Sequence, residues 1–139
     1  MTTETLDERA AQAHMIISLL DHWGVGEREK ITLLGLPAET KLCSLQGFRH
    51  GKALPGNDEV LIRVEHILGI SRALSLANPL NERAAVMWLH RRNHRLNSRT
   101  PLATMIDEGL DGIIRVRIQL DCSYGWYLDE QRVKAEASP

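Results

Sequence analysis

Aromatic side chains are few in this sequence, with three Trp, two Tyr and one Phe among 139 residues. They are Trp23, Phe48, Trp88, Tyr124, Trp126 and Tyr127, the last three within one four-residue stretch. Cysteine is scarcer still. Cys43 and Cys122 stand far apart, which excludes a disulfide-dense scaffold and a four-cysteine zinc site. A reducing, cytoplasmic setting is the simplest expectation. No apolar run approaches the roughly 20 residues of a membrane span. An excess of one charge is also missing, because 17 Lys and Arg face 18 Asp and Glu. A whole-chain basic field for nucleic acid is therefore excluded, and any such role needs a local patch. The polar, acidic start Met1-Thr2-Thr3-Glu4-Thr5-Leu6-Asp7-Glu8 predicts no secretory signal. What remains is ordinary for a globular protein, with 43% apolar and 25% charged residues. The length fits one domain or two small ones, and folding buries roughly two-thirds of the unfolded surface.

The apolar spacing is helical nearly throughout. Leu6, Ala10, Ala13, Ile16, Ile17 and Leu20 recur three and four apart, which predicts an amphipathic helix to Trp23, stopped by Gly24-Val25-Gly26. A short helix follows from Glu27 to Leu34, with acids at its positive end. Gly35-Leu36-Pro37 breaks it. A third helix is predicted from Ala38 to Leu45, with Ala38, Leu42 and Leu45 on one face and Glu39, Thr40, Lys41 and Ser44 facing away. Residues 47–57 read as a loop. Asp58 is the expected cap of a helix over 59–68, which Gly69 ends or bends before a further apolar segment, Ile70 to Ala77. Asn78-Pro79-Leu80-Asn81 breaks the chain, and Asn81 caps a helix to about Arg92. Residues 93–99 are polar and loop-like. Thr100-Pro101 is a strong helix start. Gly109 interrupts, and a last helix runs from Leu110 to Leu120, although Ile114, Val116, Ile118 and Leu120 also alternate as a strand would. The expectation is an all-α protein of two lobes, 1–77 and 78–139, with a polar tail from Asp129.

Several patterns bear on chemistry. His90 and His94 have the spacing that puts two imidazoles on one helix face, but Arg91 stands where a zinc protease carries Glu, and the flanking arginines repel a cation. No metal is expected. Gly24-x-Gly26 follows a helix rather than a strand and lacks a third Gly, so it reads as a turn and not a dinucleotide loop. Neither cysteine sits in a nucleophile signature, and the carboxylate pairs Asp7/Glu8 and Asp107/Glu108 read as solvated helix edges. An enzyme and a cofactor are therefore not expected. The stronger signal is a short helix, a Gly-Leu-Pro turn and a second short helix, the arrangement that lets a second helix enter a major groove. On this reading Thr40, Lys41 and Ser44 reach bases or phosphates, and Arg49, His50 and Lys52 contact backbone. The competing reading is a lobe of the same shape without DNA affinity. The densest charge lies in 83–99, with Arg83, Arg91, Arg92, Arg95 and Arg99 and no acid. It is either a solvated loop balanced by Asp107, Glu108 and Asp111, or an edge that grips carboxylate or phosphate. Arginine beside Trp88 favours a protein contact. The Tyr124, Trp126 and Tyr127 cluster either folds on the core or anchors a partner.

The stretch Arg83-Ala84-Ala85-Val86-Met87-Trp88-Leu89, followed by Asn93, Leu96, Arg99-Thr100-Pro101-Leu102, Met105 and Gly109, resembles the toxin-binding domain of the Xre/MbcA/ParS antitoxins. That family's pattern is an Arg-rich helix ending in Trp-Leu, a polar loop with Asn and Leu, and Thr/Ser-Pro-Leu opening a short helix. Gly109 to Ile118 is similar to its last helix, and the N-terminal lobe is similar to the Xre-like helix-turn-helix that precedes it. The resemblance covers about residues 10–122. Two departures stand out. Asn97-Ser98-Arg99 replace a segment in which many members carry Gly, and Lys41 is nearly alone on the second short helix, where DNA-binding members carry several basic residues.

The resemblance implies an antitoxin that neutralises a RES-domain, NAD-consuming toxin by covering its active site. It implies that the helix-turn-helix lobe represses the shared operon, and that the protein is a homodimer or a hetero-oligomer with its toxin. Trp88, Leu96, Pro101 and Leu102 would supply apolar area or hold the motif's shape. Arg91, Arg92, Asn93, Arg95, Arg99 and Thr100 would make directional polar contacts, and Trp126 and Tyr127 would approach the toxin's active site. The alternatives are a stand-alone helix-turn-helix regulator without a toxin, and a helical adaptor using the same arginine edge.

Overall fold

A computed structural model describes residues 6–121 of the chain. Among them the structure is all-helical, without strands. The helices are α1 (Leu6–His22), α2 (Glu27–Leu33), α3 (Leu42–Arg49), α4 (Asp58–Ala77), α5 (Glu82–Leu89) and α6 (Pro101–Glu108). A final helix, α7, covers 110–121, and a 3-10 turn spans His94–Leu96. The alternation over 113–120 is therefore helical. None of the described helices is long and apolar enough to cross a membrane.

The residues form two units, one ending at Glu65 and the other beginning at His66. The division falls within α4, ahead of the Asn78-Pro79 break at which the sequence reading divides the chain. Gly69 does not end this helix. A glycine inside a helix costs only about 1 kcal/mol relative to alanine, and here it has a use. A Cβ at Gly69 would stand 2.6 Å from the Arg117 guanidinium carbon. The arginine lies over the bare backbone, and its Nη1 donates to His66 Nδ1 at 2.9 Å. The helix is capped one residue earlier than expected: Asn57 Oδ1, not Asp58, accepts from Val60 N at 2.9 Å.

In the first unit Ala13, Ile16, Ile17 and Leu20 of α1 are buried, as are Ile31, Leu33 and Leu34 of the α2 segment, and Leu45 and Phe48 of α3. Helix α3 packs on both α1 and α2. It begins four residues later than the spacing predicts. Residues 38–41 are turn and coil, closed by Thr40 N donating to Pro37 O at 2.9 Å. The buried pair is Leu45 with Phe48, three apart, and not Ala38, Leu42 and Leu45; Leu42 is exposed. The helix runs through Gly47 because Phe48 must reach the core, so part of the expected loop is helical.

In the second unit the buried apolar residues include Ile70 and Leu74 of α4, Leu89 of α5, Leu102 and Met105 of α6, and Ile113, Val116 and Leu120 of α7. Helix α5 ends at Leu89, not Arg92, with His90 as its C-cap, and packs on α6. Gly109, with φ +65°, turns the chain between α6 and α7. Close packing follows at Gly112, where a Cβ would stand 2.1 Å from the Thr104 carbonyl oxygen.

Candidate functional site

The arginine edge is built by a chain of local hydrogen bonds. Asn81 Oδ1 accepts from Ala84 N at 3.1 Å and starts α5. Beyond Leu89 the chain leaves the helix with Arg91 and Arg92 exposed. Asn93 then closes a small loop. Its Oδ1 accepts from Arg95 N at 2.9 Å, and its N donates to Arg99 O at 2.9 Å. Arg99 N returns to Leu96 O at 3.1 Å. Between them Asn97 and Ser98 both take the left-handed region, with φ 57° and 62°. That pair of positive angles is what a tight primed turn requires and what glycine adopts most easily. Thr100 Oγ1 accepts from Ala103 N at 3.0 Å, and Pro101 opens α6, as the sequence predicts.

This geometry sorts the expected toxin-binding residues. Leu96, Pro101 and Leu102 are buried and belong to the core of the unit. Asn93 and Thr100 spend their side chains on caps. Arg99 pairs with Asp107 and lies 3.9 Å from Glu108. Glu108 in turn pairs with Arg115 at 2.9 Å. Of the acids expected to balance the run, Asp107 and Glu108 reach Arg99 and no other arginine of the run. Arg91, Arg92 and Arg95 are exposed, and their side chains have no hydrogen-bond or ion-pair partner among the described residues. Trp88 is half-buried. Trp126 and Tyr127, with Tyr124 and Cys122, lie outside the described residues.

Of the expected DNA-contacting residues, Ser44 lies on α3 and His50 and Lys52 follow it as read, whereas Thr40, Lys41 and Arg49 are placed differently. Thr40 and Lys41 precede α3 instead of lying on its face, with Lys41 at the N-cap. Ser44 is half-buried, while Cys43 and Gln46 are exposed. Lys52 Nζ sits 5.9 Å from the Phe48 ring centroid, and His50 is exposed. Arg49 is held inside the lobe. Its Nη2 donates to Asp21 Oδ1 at 2.9 Å and to Glu27 Oε1 at 3.2 Å, and its Nε donates to Asp21 Oδ2 at 3.1 Å. Its carbonyl accepts from His14 Nδ1 at 2.7 Å.

The same two carboxylates hold a lysine that the sequence reading missed. Lys30 is 1% exposed, and its Nζ lies 2.6 Å from Asp21 and 2.5 Å from Glu27. The hydrogen bond from Lys30, with Arg49 adding to it, holds the Glu27 carboxyl below its ordinary range. For Asp21 burial pushes upward, but the hydrogen bonds from Lys30 and Arg49 outweigh it, and the net shift is down. Burial likewise pushes Lys30 down, and its two carboxylate partners more than reverse this. Glu27 and Lys30 at i,i+3 were readable as a pair. Asp21 and Arg49 come from other helices, and nothing local marks them.

Among the described residues no group of three His, Cys, Asp or Glu is placed to hold a metal ion. The groove at the end of α3, lined by Ala10, Ala11, His14, Arg49, His50 and Gly51, is shallow. Comparison with family models, with curated proteins and with solved structures returned no match for this chain.

Proposed function

We propose that this protein is a non-enzymatic antitoxin that neutralises a RES-domain, NAD-consuming toxin by binding it and covering its active site. The observation that carries the reading is the edge beyond α5. Arg91, Arg92 and Arg95 stand exposed, without acidic partners among the described residues, beside a loop closed on both sides by hydrogen bonds. A preorganised arginine surface loses little freedom on binding and offers bidentate contacts. The resemblance of 83–109 to the toxin-binding domain supplies the class of partner. The buried Leu96, Pro101 and Leu102 then hold the motif's shape, and the arginines make the contact.

Repression of its own operon through the α2–α3 pair is the second part of the proposal. Of the expected basic contacts, Lys41, His50 and Lys52 remain, because Arg49 is paired with Asp21 and Glu27. This weak field favours toxin binding over a stand-alone regulator. Affinity capture of the tagged chain from its native cells tests the reading. The expected result is a RES-domain protein retained in near-stoichiometric amount, whose NAD hydrolysis stops when this chain is added. Retention of the chain's own promoter DNA with no protein partner would overturn it in favour of the regulator, and undiminished NAD hydrolysis would overturn the mechanism.

A further inference from the structure

From α5 onward the arginines of the described residues divide into two groups, with Arg72 on α4 apart from both. Arg99, Arg115 and Arg117 have carboxylate neighbours. Arg83, Arg91, Arg92 and Arg95 are exposed, and their side chains have no partner among the described residues. Arg83 lies on α5 one turn before Met87, which faces the same way at i+4. Met87 is 49% exposed, and Leu80, just ahead of the helix, is fully exposed. Arg83 thus stands beside uncovered apolar surface on α5, and Arg91, Arg92 and Arg95 follow directly from the C-terminal end of the same helix. A second fact bears on the partner's chemistry. Residues 66–121 contain eight arginines and no lysine. Phosphate backbones are bound by lysine and arginine alike, whereas protein interfaces enrich arginine and methionine and deplete lysine. A phosphate rim also offers nothing to Met87.

We propose that Arg83, Arg91, Arg92 and Arg95, with Met87 and Leu80, form one surface that recognises a carboxylate-rich protein face surrounding an apolar patch. The proposal rests on the reading of this edge as a partner surface, and it extends that surface along α5 to residues outside the expected site. Each guanidinium meets a carboxylate as a fork, and Met87 is covered by an apolar side chain between them.

The test uses the full-length chain and two labelled probes: a synthetic amphipathic peptide with glutamates around a leucine patch, and a DNA duplex of random sequence. The expected result is tighter binding of the peptide. The charge reversal R83E/R91E/R92E/R95E should weaken it about tenfold or more, with the thermal melt retained because all four side chains are exposed. Met87→Ala should weaken the peptide and not the duplex. The lysine set R91K/R92K/R95K keeps the charge and loses the fork, so it should also weaken the peptide while leaving the duplex unchanged. Tighter binding of the duplex, or full peptide affinity in the reversal variant, would overturn the proposal. Added to the toxin assay, the reversal variant separates the two claims. Full inhibition by this variant would sink the surface and leave the antitoxin standing. Peptide binding with no toxin inhibition by the natural chain would do the opposite.

Discussion

A lysine at 1% exposure is tolerable only with its charge answered. Asp21 and Glu27 answer Lys30, and Arg49 answers their surplus, so two acids and two bases form a neutral set joining α1, α2 and α3. Removing different members should therefore have unequal effects. Lys30→Met leaves both acids paired with Arg49 and adds apolar volume, and should change stability by less than about 1 kcal/mol. The double change D21N/E27Q leaves the buried ammonium with no carboxylate and should cost about 3 kcal/mol, the low end for a broken buried pair because the amide oxygens still accept. Urea denaturation of the two variants compares them directly, and equal losses would refute the account. Ser98 offers a gain instead. It holds φ 62° without being glycine. Ser98→Gly should stabilise by about 0.5–1 kcal/mol and raise the melting temperature by roughly 2–4 °C per kcal/mol. A lower melting temperature would mean that the side chain supports the turn.

At the scale of elements, the helix starts with a cap in the adjacent sequence, those of α5 and α6, were the most legible. Asn81 and Thr100-Pro101 act within three residues of themselves, and the structure uses them as read. The start of α3 and the interior glycine of α4 were less legible because their causes are distant. The reason α4 passes through Gly69 is Arg117, and the reason α3 shifts is the place of Phe48 in the core. The arginine edge could be read as a run, but not which arginine is balanced, since Asp107 and Glu108 reach only Arg99 within that run. Gly112 sets the approach of α6 and α7 in the same distant way. Alanine there would meet the Thr104 backbone at 2.1 Å, and backbone cannot swing aside. Gly112→Ala should destabilise by about 3 kcal/mol, visible as a lower melting temperature. An unchanged melt would show that the two helices part without penalty.

For the molecule as a whole, the shifted groups define a window of pH. Asp21 and Glu27 titrate lower in the folded chain than in the unfolded one. Their contribution is complete above the unfolded values, about 4, and is lost as pH falls through the depressed folded ones. Lys30 is shifted upward, so its contribution holds at neutral pH and fades only as pH rises through its raised folded value. Stability should be level near neutrality and fall below about pH 4, and D21N/E27Q should flatten that fall. Denaturant midpoints measured from pH 3 to pH 8 check this, and parallel curves would refute it. The charge of the proposed partner surface behaves otherwise. It is carried by arginine alone, in a stretch without a single lysine from 66 to 121. Arginine keeps its proton at any physiological pH, and lysine acetylation has no target there. Such a surface is switched neither by pH nor by lysine acetylation: a partner once seated leaves by competition, by salt, or by loss of the chain that holds it.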